Sequence, residues 1–282
     1  MTRSGAEPEL IDLMHLGRPQ VIGAWRLDDV IVDPGPSSCL ERLLPALERR
    51  PPRALALTHI HLDHAGAAGS IVRRFPDTEV WVHERGAPHL IDPARLLESA
   101  ARLYGDDMGR LWGEVLAVPR ECLRVLRGGE VVGPFQAAYT PGHASHHVCY
   151  LHEPTGRAFT GDATGVRIAE GLVLAPTPPP DVDLVAWRAS LERLEAWRPR
   201  SFALTHFGAY ADVESHLAAM RRQLDDLESM TGELDEERFV AANRARFAGS
   251  TPPDARGAYE QAMPPALSYR GLARYLSRSG TG

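Results

Sequence analysis

Three histidines and an aspartate stand close together in Thr58-His59-Ile60-His61-Leu62-Asp63-His64. Residues two apart on an extended backbone project to the same face, so His59 and His61 can grip one ion. Asp63 and His64 come just after, where a tight turn points them at a neighbouring position. Imidazole and carboxylate donors together suit zinc, iron or manganese. The competing reading is a solvated loop that happens to hold three histidines. Three later segments weigh against it: Thr140-Pro141-Gly142-His143, Thr160-Gly161-Asp162 and Leu204-Thr205-His206. Each carries one ligand-type side chain at the end of an expected strand, where rigid sites are usually built. Five histidines and two aspartates suffice for two metals and a shared water.

Those side chains need strands to hold them. Gln20–Leu27 and Val30–Asp33 read as a hairpin, with the polar pair Asp28–Asp29 between them. Leu40, Leu43, Leu44 and Leu47 form one apolar stripe, which predicts a helix from about Ser38 to Arg49, capped by Ser37 or Ser38 and ended by Pro51–Pro52. Ala54–Thr58 is then a short buried strand that delivers the histidine cluster at its C-terminal end. Further strands are expected at Thr78–His83, Leu123–Leu126, Phe135–Thr140, Val148–Leu151, Arg157–Thr160 and Leu172–Leu174. Pro93 to Val118, with Leu96, Leu103 and Trp112, reads as an inserted helical cap, and Trp112 is the tryptophan expected to line an apolar pocket. Ala175–Pro180 is a stiff connector, because its prolines can continue neither a helix nor a central strand. Leu184, Trp187, Leu191 and Leu194 fall at helical spacing. Val213, Leu217, Met220, Leu224 and Leu227 make a stripe that is a core face first and a homodimer seam second. The last stretch is helical and charged, with Tyr269, Leu272, Tyr275 and Leu276 available to dock. The expected organisation is a catalytic domain over 1–210, its cap at about 93–118, and a C-terminal helical extension over 211–282 packed on the same domain.

A weak repeat supports this layout. Arg53-Ala-Leu-Ala-Leu-Thr-His59 and Arg200-Ser-Phe-Ala-Leu-Thr-His206 share a pattern, and each follows an expected helix ending in a proline-containing turn. Two similar helix–strand units would each present a histidine at a strand's C-terminal edge, where open α/β sheets place their ligands.

At 282 residues, 44% hydrophobic and 24% charged, the composition is that of an ordinary globular protein, without an apolar run long enough to span a bilayer. Met1 to Gly17 lack the apolar core of a signal peptide, so the expected location is cytoplasmic. Cys39, Cys122 and Cys149 are too few and scattered for a disulfide framework or a cysteine metal site, and read as free thiols. A net charge of −6 argues against a nucleic-acid partner and leaves a small-molecule substrate.

His-x-His-x-Asp-His followed by separate His, Asp and His motifs resembles the metallo-β-lactamase superfamily, over about Gln20 to Tyr210. The resemblance implies an α/β fold, an αβ/βα four-layer sandwich with metals at one edge of two facing sheets, here with a helical insertion and C-terminal helices. It implies that His59, His61 and His143 hold one divalent transition-metal ion and Asp63, His64 and His206 a second, bridged by Asp162. The expected ion is zinc, with iron or manganese as alternatives. Asp33, in Val32-Asp-Pro-Gly35, matches an aspartate that braces the metal loop, and His147 matches the second histidine of a Pro-Gly-His-x-x-x-His segment, behind the ligands. No cysteine lies in any ligand segment, unlike true β-lactamases of the commonest subclass. The full set is similar to that of the glyoxalase II, lactonase and tRNA-processing branches, and intact Asp63, His64 and His206 set it apart from the one-iron sulfur dioxygenases. His146 stands where glyoxalase II usually has glycine, and the C-terminal helices carry no recognisable glutathione-binding basic set.

The chemistry expected is hydrolysis of an ester, lactone or thioester. Two ions roughly 3.5–4 Å apart share a water and lower its pKa from about 16 towards 7, giving hydroxide at neutral pH. Asp63 is expected to orient it and pass a proton to the leaving group. Tyr210, Tyr104 and His146 are candidate substrate contacts, the tyrosines as donors to a developing oxyanion and with packing as their competing role. The alternatives are an iron-dependent oxidoreductase on the same fold, or a phosphodiesterase.

Overall fold

Strands of this chain change company at every residue, and that alternation builds the layers. The computed structural model describes residues 7–279. β1 (Glu9–Asp12), β2 (Gly23–Leu27), β3 (Val30–Val32), β4 (Ala54–Ala56), β5 (Glu79–His83) and β6 (Leu123–Leu126) lie in that order in one sheet. The first three pair antiparallel and the rest add in parallel. Parallel neighbours need crossovers. These are α1 (Leu40–Arg49), then α2 (Leu62–Ala65) with α3 (Ala68–Arg74), then α4 (Ala87–Ile91), α5 (Ala94–Tyr104) and α6 (Met108–Trp112). A second sheet, in reverse order, holds β7 (Val131–Val132), β8 (Phe135–Tyr139), β9 (Val148–His152), β10 (Arg157–Phe159), β11 (Ser201–Leu204) and β12 (Gly208–Tyr210), with α7 (Leu184–Ala196) crossing between β10 and β11.

In β3, Val30 and Val32 join Trp25, Trp81, Phe135, Tyr150 and Phe159 in an apolar core between the sheets. Ile31, on the opposite face, packs with Leu43 and Leu47 of α1 and Ile71 of α3. β11 repeats the logic: Ala203 faces inward, whereas Phe202 and Leu204 pack with Leu191 of α7. The result is the helix–sheet–sheet–helix sandwich expected from the resemblance. The repeat at Arg53 and Arg200 becomes β4 and β11, one in each sheet, both ending at the same edge of the sandwich.

Four further helices follow: α8 (Val213–Glu233), α9 (Glu236–Ser250), α10 (Arg256–Ala262) and α11 (Pro265–Ser279). Leu217, Met220, Leu224 and Leu227 of α8 are all fully buried against the second sheet's outer core. That burial stabilises by about 1.5–3 kcal/mol per side chain. The stripe is therefore a core face, and it is not available as a homodimer seam. α11 docks on α8 and α9 through Leu272, with Tyr269 and Tyr275 half-buried beside it. The His15 ring joins the C-terminal helices to the cap: Nε2–H donates to the Leu111 carbonyl (2.9 Å), Nδ1 accepts from the Gln261 amide (2.9 Å), and the ring stacks on Trp112.

Three expectations about elements are corrected. Ser37 and Ser38 do not cap α1. A 3-10 turn over Ser37–Cys39 precedes it, which carries their hydroxyls to the carbonyls of Gly66 and Leu111 instead. Leu172–Leu174 is not a strand: Leu174 pairs only with Val166, and the Leu172 carbonyl accepts from the Tyr259 hydroxyl, so no ladder extends. The insertion is helical only as far as Trp112 and runs on without regular structure to Val118. β1, whose polar sequence gave no strand signal, is an edge strand. Among the described residues no helix is long and apolar enough to cross a membrane. The three cysteines are free, as expected.

Candidate metal centre

Seven ligand-type side chains reach one edge of the sandwich from four strand ends. His59 and His61 follow β4, and α2, a single turn, redirects the chain so that Asp63 and His64 point back under them. His143 follows β8, Asp162 follows β10 and His206 follows β11. Two glycines make the approach possible. Gly142, at φ +142°, would place any Cβ 2.3 Å from that of Trp187, and Gly161, at φ +46°, would place one 2.3 Å from Thr58 Oγ1. Each immediately precedes a candidate ligand.

Donor atoms fall into three overlapping groups: His59, His61 and His143; His59, His64 and Asp162; Asp63, His64 and His206. Within each, the atoms lie within 4.8 Å of one another. His61 Nδ1 is 3.0 Å from His59 Nε2 and 2.9 Å from His143 Nε2. Three imidazole nitrogens so placed cannot satisfy one another, because a neutral ring offers one donor and one acceptor. Asp162 lies across the groups, with Oδ2 3.3 Å from His143 Nε2 and Oδ1 3.4 Å and 3.6 Å from Nε2 of His64 and His206. His64 Nε2, His206 Nε2 and Asp162 Oδ1 are buried without a hydrogen-bond partner among the described residues. Buried polar atoms are rarely orphaned, and these converge, which is what a cation-binding site requires.

Behind the candidate ligands, hydrogen bonds set the ring tautomers. His64 Nδ1–H donates to Asp33 (2.8 Å), His143 Nδ1–H to the Pro176 carbonyl (2.8 Å) and His206 Nδ1–H to the Val21 carbonyl (2.6 Å). His59 Nδ1 lies 3.1 Å from Thr58 Oγ1, whose own proton goes to Asp33. Each arrangement leaves the Nε2 lone pair facing the cluster, the usual way proteins orient metal-binding histidines. Asp33 is fully buried and also accepts from Thr58 N and Thr205 Oγ1, tying both sheets to the site. His147 packs nearly parallel to His59, with Nδ1 on Thr140 Oγ1, and belongs to no ligand group.

Electrostatics divide the cluster. Burial, reinforced by neighbouring imidazoles, holds His59 well below the ordinary histidine range and His61 down to about 4, and burial also lowers His143. These rings are neutral at pH 7, as ligation requires. Burial opposes charge on His64 and His206 too, but Asp162 and the other carboxylates outweigh it and raise both. Burial would raise Asp63 and Asp162, yet the adjacent imidazoles hold both low, so both remain ionised.

A cleft of about 250 Å³ opens over the cluster, floored by His61, Asp63, His143, His146 and Asp162. Tyr104 and Trp112 line it, as do Pro176–Pro180, so the stiff connector is also a wall. The Ile60 amide N–H approaches His146 Nδ1 at 3.4 Å, and Nε2 of this cleft-lining residue has no hydrogen-bond partner among the described residues. Burial and the charge of Asp63 push the Tyr104 phenol up, keeping it a neutral donor. Tyr210 is a correction: its hydroxyl donates to the Arg167 carbonyl (2.7 Å), Arg167 lies over its ring, and it does not line the cleft. β12 turns back antiparallel to β11 after His206, which carries Tyr210 away. Sequence reasoning missed Arg85, Arg95, Met263 and Leu267, which line the cleft. Arg85 had a signal, two residues past the C-terminal end of β5; the others had none.

A sandwich with paired histidine–aspartate clusters at one sheet edge defines a class of metal-centred proteins, and the comparisons say which. Residues 28–206, more than half of the chain, match the metallo-beta-lactamase superfamily. The chain belongs to that superfamily. It is 29% identical over 175 residues to the metallo-beta-lactamase fold-containing protein ST1585 of Sulfurisphaera tokodaii, covering 59% of this chain and 65% of that one. It is 31% identical over 137 residues to a hydroxyacylglutathione hydrolase of Salmonella paratyphi A, covering 47% of this chain and 41% of the relative. The solved structure of ST1585 superposes with a TM-score of 0.69 at 21% identity, covering 96% of this chain and 99% of that one. TTHA1623, solved in a di-iron-bound form, superposes with a TM-score of 0.55 at 27% identity, covering 72% and 93%.

Proposed function

We propose that this protein is a dinuclear-metal hydrolase that cleaves an ester, lactone or thioester. The observation that carries the proposal is Asp162, whose two oxygens face His143 on one side and His64 and His206 on the other. His59, His61 and His143 would hold one ion, Asp63, His64 and His206 the other, and Asp162 would join them. When bound, such a pair supplies Lewis acidity and lowers the pKa of a shared water towards neutrality. Asp63 lines the cleft and stays ionised, so its free oxygen is placed to orient that water and to carry a proton to the leaving group. His146 Nε2 and Tyr104 Oη, on the cleft's floor and wall, are placed to donate to the substrate carbonyl. Asp33 positions His64, and His147 positions His59. Residues 1–210 would form the catalytic domain, with 211–282 completing its cleft.

Zinc is the proposed ion, and the di-iron relative makes iron the alternative. The test is elemental analysis with a panel of lactones, thioesters, β-lactams and phosphodiesters on protein of known metal content. Close to two ions per chain and turnover of an acyl ester, lactone or thioester is the expected result. No metal retained, and none recovered on reconstitution, overturns the reading. Turnover of phosphodiesters alone, or oxygen-dependent turnover by iron-loaded protein, replaces it with one of the alternatives.

A further inference from the structure

The cleft is two-sided. Leu96 and Leu103 of α5, Trp112 of α6, Met263 between α10 and α11, and Leu267 of α11 make an apolar lining beside the candidate ligand cluster. Outside the cluster, the charged side chains among its described lining residues are Arg85, Arg95 and Asp181. Asp181 accepts from the Ser145 hydroxyl at 2.6 Å. Arg85 lines the cleft and lies 5.6 Å over the Tyr139 ring, a contact that does not neutralise its charge. Arg95 contrasts with the other arginines of the cap: Arg102 pairs with Glu98 and Arg110 with Asp107, while Arg95 has no ion pair or hydrogen bond among the described residues. The cap arginine that meets the cleft is the one left unpaired, in a chain whose net charge is −6. Guanidinium groups on adjoining elements suit a planar anion such as a carboxylate, and an apolar lining suits a methylene chain.

From these features we infer the substrate class: an ester, lactone or thioester whose acyl chain runs along the apolar lining and ends in a carboxylate or comparable anion held by Arg85 and Arg95. This rests on the hydrolase reading above and adds to it the chemistry of the far end of the substrate. The cleavable carbonyl sits over the metal cluster, and the anion sits towards α4 and α5.

The test uses metal-loaded protein and p-nitrophenyl monoesters of succinic, glutaric, adipic and suberic acids, each against the uncharged ester of equal chain length. For the longer pairs kcat/KM is expected to favour the anionic ester about tenfold, a preference that shrinks as salt is added. In Arg85→Gln/Arg95→Gln the ratio falls to about one, whereas Arg102→Gln, on a paired residue outside the cleft, keeps it. Equal rates for charged and uncharged esters, or a preference that survives the double substitution, overturns the inference. If none of these esters is cleaved, the lactone and thioester panel decides the hydrolase reading, and calorimetric binding of suberate against octanoate separately decides the anion site. Tighter suberate binding that disappears in the double variant upholds it, and equal binding in wild type removes it.

Discussion

Asp33→Asn isolates how much of the metal centre depends on one residue that touches no ligand donor atom. The carboxylate accepts four hydrogen bonds: from Thr58 N (2.8 Å), Thr58 Oγ1 (2.7 Å), His64 Nδ1 (2.8 Å) and Thr205 Oγ1 (2.8 Å). An amide has one acceptor oxygen. Its better orientation keeps the three donors on the Oδ2 side and sets an NH2 against the Thr58 N–H. Hydrogen bonds to a charged group contribute roughly 1.5–3 kcal/mol, against about 1 for neutral pairs. One bond lost and three weakened therefore costs at least about 3 kcal/mol of stability. His64 also loses the acceptor that holds its proton on Nδ1, and disturbing a partner of this kind typically lowers metal affinity about 10–100-fold. Urea unfolding in excess chelator reads the first effect, and competition against a chromophoric chelator reads the second. Thr205→Val, which removes one donor and keeps the carboxylate, should cost about 1.5–3 kcal/mol and leave affinity within a few-fold. Wild-type metal affinity in Asp33→Asn, or equal damage from Thr205→Val, would show that the carboxylate does not organise the site.

Other outcomes follow from single contacts. Asp162→Ala should lower bound metal from close to two ions per chain to one or fewer and abolish hydrolysis, with the far-UV circular dichroism of a folded chain; full activity would refute the bridging role. Tyr210→Phe should leave kcat and KM unchanged and cost about 1 kcal/mol, since the lost hydroxyl bonds backbone carbonyls outside the cleft; a large fall in kcat would return Tyr210 to the reaction. Leu224→Ala should destabilise by about 2–5 kcal/mol without changing turnover of the folded enzyme, and a concentration-dependent dimer dissociation in its place would revive the seam. His216 is held at about 4 by burial, below its ordinary 6.5. Because the folded value lies below the unfolded one, its contribution is complete above pH 6.5 and is lost as pH falls through 4. By pH 5 the loss is about 2 kcal/mol. Urea midpoints at pH 7 and pH 5 should therefore converge in His216→Gln, and an unchanged gap between them would exclude His216 as a source of acid sensitivity.

Most of the site was legible because ligand chemistry is local. Four candidate ligands fall within His59–His64, and the other three each end a strand whose apolar run is short and bounded by glycine or proline. Elements of strong periodicity, such as α1, α7 and α8, were legible for a related reason: one buried face imposes its period on the residues. Four-residue β1 carries too little pattern to register, and Leu172–Leu174 carries enough to mislead, although it makes only one isolated bridge and its Leu172 carbonyl accepts from the distant Tyr259 hydroxyl.

By itself the sequence determined which residues are candidate metal ligands and at which strand ends they sit, because these properties reside in residue types and short spacings. Tertiary structure decided the rest. It turned Tyr210 away from the cleft, made Asp33 the acceptor for donors from both sheets, and brought Arg85, Arg95, Met263 and Leu267 from distant parts of the chain to one cleft. Contacts between residues far apart in sequence leave no period or motif behind, so the metal chemistry could be read along the chain while the shape and charge of the cleft could not.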